Sequence, residues 1–61
     1  MGIKIWKVKL YDDETYWDQL LLEAKSLLEI QAKVNIYIEE NYPEFEDILE
    51  IRDIEFIGET I

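Results

Sequence analysis

The sequence predicts an α+β fold, a three-stranded antiparallel sheet with one helix packed on one face, in the order ββαβ over a single domain, 1–61. Three observations lead there. Residues 3–11 alternate with period two, residues 26–43 carry start and stop signals around a helical repeat, and residues 48–57 return to β-prone types.

In the first strand Trp6, Val8 and Leu10 form the inward face, while Lys7, Lys9 and Tyr11 point outward with Ile3 and Ile5. Asp12-Asp13-Glu14 makes a polar turn. A second strand over 16–24 then places Tyr16, Leu20, Leu22 and Ala24 inward, leaving Trp17 and Leu21 on the outward face with Tyr11 and Ile5. Ser26-Leu27-Leu28-Glu29 reads as a capping box, in which the Ser hydroxyl accepts from a first-turn amide and Glu29 reaches back to the Ser26 amide. Leu27, Ile30, Val34, Tyr37 and Ile38 share one face of the helix that follows, and Pro43 stops it, because the residue before a proline disfavours α geometry. The last strand sets Ile54 and Phe56 on one face, and Ile51 and Ile57 on the other. The switch near Arg52-Asp53 marks a bulge, and Gly58 loosens the chain before a short tail.

A competing order, βαββ, stays open at this point. Trp17, Leu20, Leu21, Ala24, Leu27 and Leu28 also fall at helical spacing, and residues 28–38 alternate as a strand would. In the ββαβ order a right-handed crossover carries the third strand past the second, so the first strand lies in the middle and one sheet face is left bare.

The chain of 61 residues contains no Cys and no His, yet is 49% hydrophobic, which is enough apolar material for a folded domain near the lower size limit. Its net charge is −9. Such a field repels nucleic acid and attracts basic partners, so direct nucleic-acid binding is not expected. The charge is uneven, with three lysines and no acid in residues 1–11, and nine acids against Arg52 in residues 39–61. No apolar run has the length of a membrane helix, and no signal-peptide pattern opens the chain, so a cytoplasmic location without membrane contact is expected.

The run from Leu22 to Val34, Leu-Glu-Ala-Lys-Ser-Leu-Leu-Glu-Ile-Gln-Ala-Lys-Val, resembles the strand-to-helix junction of many short proteins of phages and mobile elements. The likeness extends over about residues 5–57 and brings no catalytic residues with it. In size and charge the chain is also similar to small acidic phage inhibitors of host defence nucleases, the anti-CRISPR and DNA-mimic proteins. That resemblance implies an inhibitor of a basic host protein, such as a nuclease, working in the host cytoplasm.

Without His or Cys the common general base, metal ligand and thiol nucleophile are all missing. Ser26 is explained as a helix cap. Asp12-Asp13-Glu14 lacks the spaced acids and central Gly of a calcium loop, so no enzyme activity, cofactor or metal is expected. The acids Glu39, Glu40, Glu44, Glu46, Asp47, Glu50, Asp53 and Glu55 follow one another along a helix end, a loop and an outer strand, so that they could line one edge and imitate phosphates. A solvated, solubilising charge run explains the same residues. Tyr11 and Trp17 on the bare face are candidate anchors for a partner, since such residues dominate interface energies. The alternative occupant of that face is a second copy, in a structural or regulatory homodimer. Lys4, Lys7 and Lys9 read as cross-strand partners of Glu23, Asp53 or Glu55.

Overall fold

The computed structural model describes residues 2–60, so Met1 and Ile61, the ends of the expected domain, lie outside the described residues. Strand β1, Ile3–Asp12, forms a hairpin with β2, Thr15–Glu23; helix α1 spans Leu27–Asn41; a single 3₁₀ turn covers Pro43–Phe45; and β3, Leu49–Thr60, completes the sheet. The strand order is β2-β1-β3, with both outer strands antiparallel to β1. Strands β2 and β3 are therefore parallel to each other, and α1 is the crossover between them. This is the ββαβ order, and residues 15–23, which also fit a helical period, are strand.

The hairpin loop is Asp13-Glu14, with Asp12 opposite Thr15. Asp13 sits at φ 56°, a left-handed setting that costs most non-glycine residues about 1–2 kcal/mol. Asp13→Gly is expected to stabilise the chain by about 0.5–1 kcal/mol, the relief of strain exceeding the added entropy of the unfolded glycine. Thermal unfolding would show this as a rise of roughly 2–8 °C.

Ser26 caps α1 in an extended conformation (φ −153°, ψ 168°), and its Oγ accepts from the Glu29 amide at 3.3 Å. Only this half of the capping box forms as expected. The Glu29 carboxylate turns instead to Lys33, one helical turn on, at 3.4 Å. At the other end the Tyr42 amide donates to the Ile38 carbonyl at 2.7 Å, and Pro43 begins the 3₁₀ turn.

Val8 and Leu10 of β1, Leu20 of β2, Ala24, the helix stripe Ile30, Val34 and Ile38, and Leu49 of β3 make up the buried core. Trp6 lies over its edge, donating from its indole Nε1 to the Ala24 carbonyl at 2.9 Å and meeting Phe56 edge-on at 5.2 Å. That bond fixes the chain as it leaves β2 for the helix.

The structure departs from the sequence expectation in four places, three of them β-bulges. Leu10 pairs with Asp18 while Tyr11 pairs with Tyr16, so Trp17 is an extra residue in β2. Tyr16 therefore lies on the open face, 52% exposed, and Trp17 turns to the helix side and packs against the core. A second bulge is the one expected near Arg52-Asp53: Lys9 pairs with Asp53 and Leu10 with Ile51, leaving Arg52 unmatched. It brings Ile51 onto the same inner face as Ile54 and Phe56, not the opposite one. A third, at Ile57, lets Gly58 pair with Ile5 inside β3, so the strand continues to Thr60 and Gly58 does not begin a tail. The fourth difference is Leu27, which is 63% exposed, because the first helical turn lies at the end of the buried stripe that begins at Ile30.

Candidate functional site

The helix end and the turn after it are held by one carboxylate. Asp18 projects from the helix side of β2, opposite Leu10 in the register. One of its oxygens accepts from the Tyr37 hydroxyl at 2.7 Å and from the Tyr42 hydroxyl at 2.9 Å; the other accepts from the Gln19 amide at 2.7 Å. The Tyr37 bond above all holds the Asp18 carboxyl below the usual carboxylate range, against the opposing effect of desolvation. Reciprocally, the carboxylate raises both Tyr37 and Tyr42 above the usual phenol range. An anion with three donors makes a poor general base, and the arrangement acts to hold shape.

Trp17 packs around this cluster, edge-on to Tyr42 at 5.8 Å and tilted against Phe45 at 4.9 Å, with Tyr37 and Tyr42 edge-on at 6.0 Å. Edge-to-face aromatic pairs contribute about 0.5–1.5 kcal/mol each beyond the area they bury. Trp17 is thus a scaffold residue of the turn and is not on the open face where the sequence placed it. The Asp18 cluster had one sequence signal, an acid sharing strand parity with the inward Leu20 and Leu22.

On this scaffold the expected acids divide into two groups. Glu39 and Glu46 come together with Asn35 and Ile38 around a hollow of about 220 Å³ beneath the helix end. Glu44 stands beside Asn41, Tyr42 and Phe45; Glu40 and Asp47 are exposed on the helix and on the turn leading to β3. The second group, Glu50, Asp53 and Glu55, lies on the sheet face opposite the helix, across from Tyr11, Lys9 and Lys7 in the register. All eight carboxylates are exposed. They occupy both faces around the β3 side of the molecule, where the sequence had suggested a single line.

The lysines expected to meet β3 acids do lie directly opposite them, Lys9 by Asp53 and Lys7 by Glu55. The ion pairs among the described residues, however, are Lys33–Glu29 and Arg52–Glu50, the latter at 3.9 Å. The Arg52 guanidinium also lies 5.8 Å from the centre of the Tyr11 ring, and Tyr11 meets Tyr16 edge-on at 5.7 Å. Tyr11 is therefore on the open face as expected, in a group of Tyr11, Tyr16 and Arg52. Ile3 and Leu21 are exposed on the same face, at 48% and 67%.

Among the described residues no three His, Cys, Asp or Glu side chains converge to hold a metal ion, and no helix is long and apolar enough to cross a membrane. No protein-family model matches the chain, and neither a curated protein nor a solved structure matches it.

Proposed function

We propose that the chain is a non-catalytic acidic binding module that docks on a basic protein handling nucleic acid, competing with phosphates for its Lys and Arg array, in the manner of anti-CRISPR or DNA-mimic inhibitors of phages and mobile elements. The observation that carries this reading is the set of eight exposed carboxylates from Glu39 to Glu55, of which only Glu50 is engaged in an ion pair among the described residues. Carboxylates on a fixed scaffold offer phosphate-like acceptors at little cost in ordering, and a total charge of −9 steers a basic partner toward them. The Asp18 cluster supplies that fixity for the turn bearing Glu44, Glu46 and Asp47.

The exposed apolar residues favour a second reading, a homodimer that buries Ile3, Tyr16 and Leu21 of the open face. One experiment weighs both. Capture of basic nucleic-acid-binding proteins from a host lysate should weaken steeply between roughly 50 and 500 mM salt, as the Debye length falls from about 14 to 4 Å. Reversing Glu44, Glu46 and Asp47 to lysine should abolish most of it. Capture indifferent to salt and to this reversal, from a chain that sediments as a dimer, would favour the homodimer.

A further inference from the structure

Among the described residues strand β3 has a neighbour on one side only. Its outer edge presents backbone amides and carbonyls that have no backbone partner among the described residues. Such an edge is a template for an added strand. The two bulges confine the regular part to Asp53–Phe56, between the unmatched Arg52 and Ile57. In this run Asp53 and Glu55 project on the open face, while Ile54 and Phe56, 37% and 50% exposed, project on the helix side. The edge is thus acidic on one face and apolar on the other.

We propose that this edge receives an extended basic segment of the partner protein by strand addition, with Lys or Arg beside Asp53 and Glu55 and apolar residues beside Ile54 and Phe56. The proposal rests on the basic-partner reading above and specifies how the partner docks. Backbone hydrogen bonds along the edge supply affinity, and the alternating side chains supply selectivity for a basic-apolar repeat. Each added basic residue would flank a carboxylate on the side away from β1, in the cross-strand position where opposite charges attract.

A second copy of the chain fits this edge poorly. In a two-fold antiparallel pairing centred on Asp53, that residue meets itself; centred on Ile54, Asp53 meets Glu55; centred on Glu55, that residue meets itself. Each of these three pairings therefore sets acid against acid, and centres between residues set an inner side chain against an outer one. The other free edge, that of β2, is less suited. The Trp17 bulge interrupts it, and the Lys33 ammonium already donates to its Glu23 carbonyl.

The test uses the intact chain and a synthetic peptide of about eight residues alternating Lys and Val. Binding should slow amide hydrogen exchange within Asp53–Phe56, and Asp53→Lys with Glu55→Lys should weaken it about tenfold or more. A peptide of the same composition with all its backbone amides N-methylated, which leaves neither edge a donor, should give no such protection. Strand addition is overturned if the Lys-Val peptide leaves exchange in β3 unchanged, if the two reversals leave its affinity intact, or if β3 is already protected in a dimer. Salt-sensitive capture of a basic protein that persists through those results would leave the acidic-module reading standing, and its absence would remove both.

Discussion

Leu10→Ala is expected to unfold most of the chain at 25 °C. Leu10 is fully buried in the central strand, paired with Asp18 on one side and Ile51 on the other, and it belongs to the cluster that includes Ile30, Val34 and Ile38. Truncating a buried leucine removes its transfer free energy and leaves a cavity, at a cost of about 2–5 kcal/mol. A domain of this size, without disulfide or metal, rarely has more than about 3–5 kcal/mol in total. The loss is therefore comparable to the whole stability. Urea unfolding followed by tryptophan fluorescence should show a midpoint near zero denaturant for the variant. Leu28→Ala is the control, since Leu28 is 83% exposed and its truncation should move stability by no more than about 0.5 kcal/mol. Equal effects of the two substitutions would mean that this core does not carry the fold.

The contrast between these two leucines also shows where sequence reasoning reaches. Strand β1 was legible because its alternation runs unbroken from Trp6 to Leu10, and α1 because Ser26 and Pro43 act through their immediate neighbours. Bulges are not local in that sense. Whether Trp17 is an extra residue depends on how β1 pairs with β2, and parity alone puts it on the wrong face. At Arg52 the face switch was visible, but Ile51 was assigned to the outer face because its partner, Leu10, lies far away in the chain. The candidate site has the same character. Its acids can be read along the chain as one ladder, but the pairing of β3 with β1 sends Glu50, Asp53 and Glu55 to the open face, while the helix end keeps Glu39 and Glu46 on the other. Asp18, which steadies the turn carrying Glu44 to Asp47, finds its two hydroxyl donors 19 and 24 residues away.

That carboxylate carries the second large expectation. Asp18→Ala removes the common acceptor of Tyr37 and Tyr42, and hydrogen bonds to a charged group contribute about 1.5–3 kcal/mol. Asp18→Asn is the more informative change, because it keeps the shape and removes the charge. The folded state holds the Asp18 carboxyl below its unfolded value of about 3.9, so the native chain binds fewer protons there than the unfolded chain. The resulting stabilisation is complete above about pH 5 and is lost as pH falls through the unfolded value toward the folded one. Tyr37 and Tyr42 shift the opposite way, and their contribution is complete below about pH 9 and is lost as pH rises past about 10. Self-repulsion among the other carboxylates also eases in acid, but it is nearly common to both proteins and cancels in their difference. Urea unfolding of the two from about pH 3 to pH 10.5 should therefore give a stability difference that is flat through neutrality and shrinks at both ends. A difference constant through the acid limb would show that Asp18 is held by packing and not by its charge. The same substitution frees the turn that carries Glu44, Glu46 and Asp47, so salt-sensitive capture of a basic partner should weaken with it even at neutral pH, where the fold persists. Loss of the Asp18 hydrogen bonds with capture unchanged would move the contact away from that turn and onto β3.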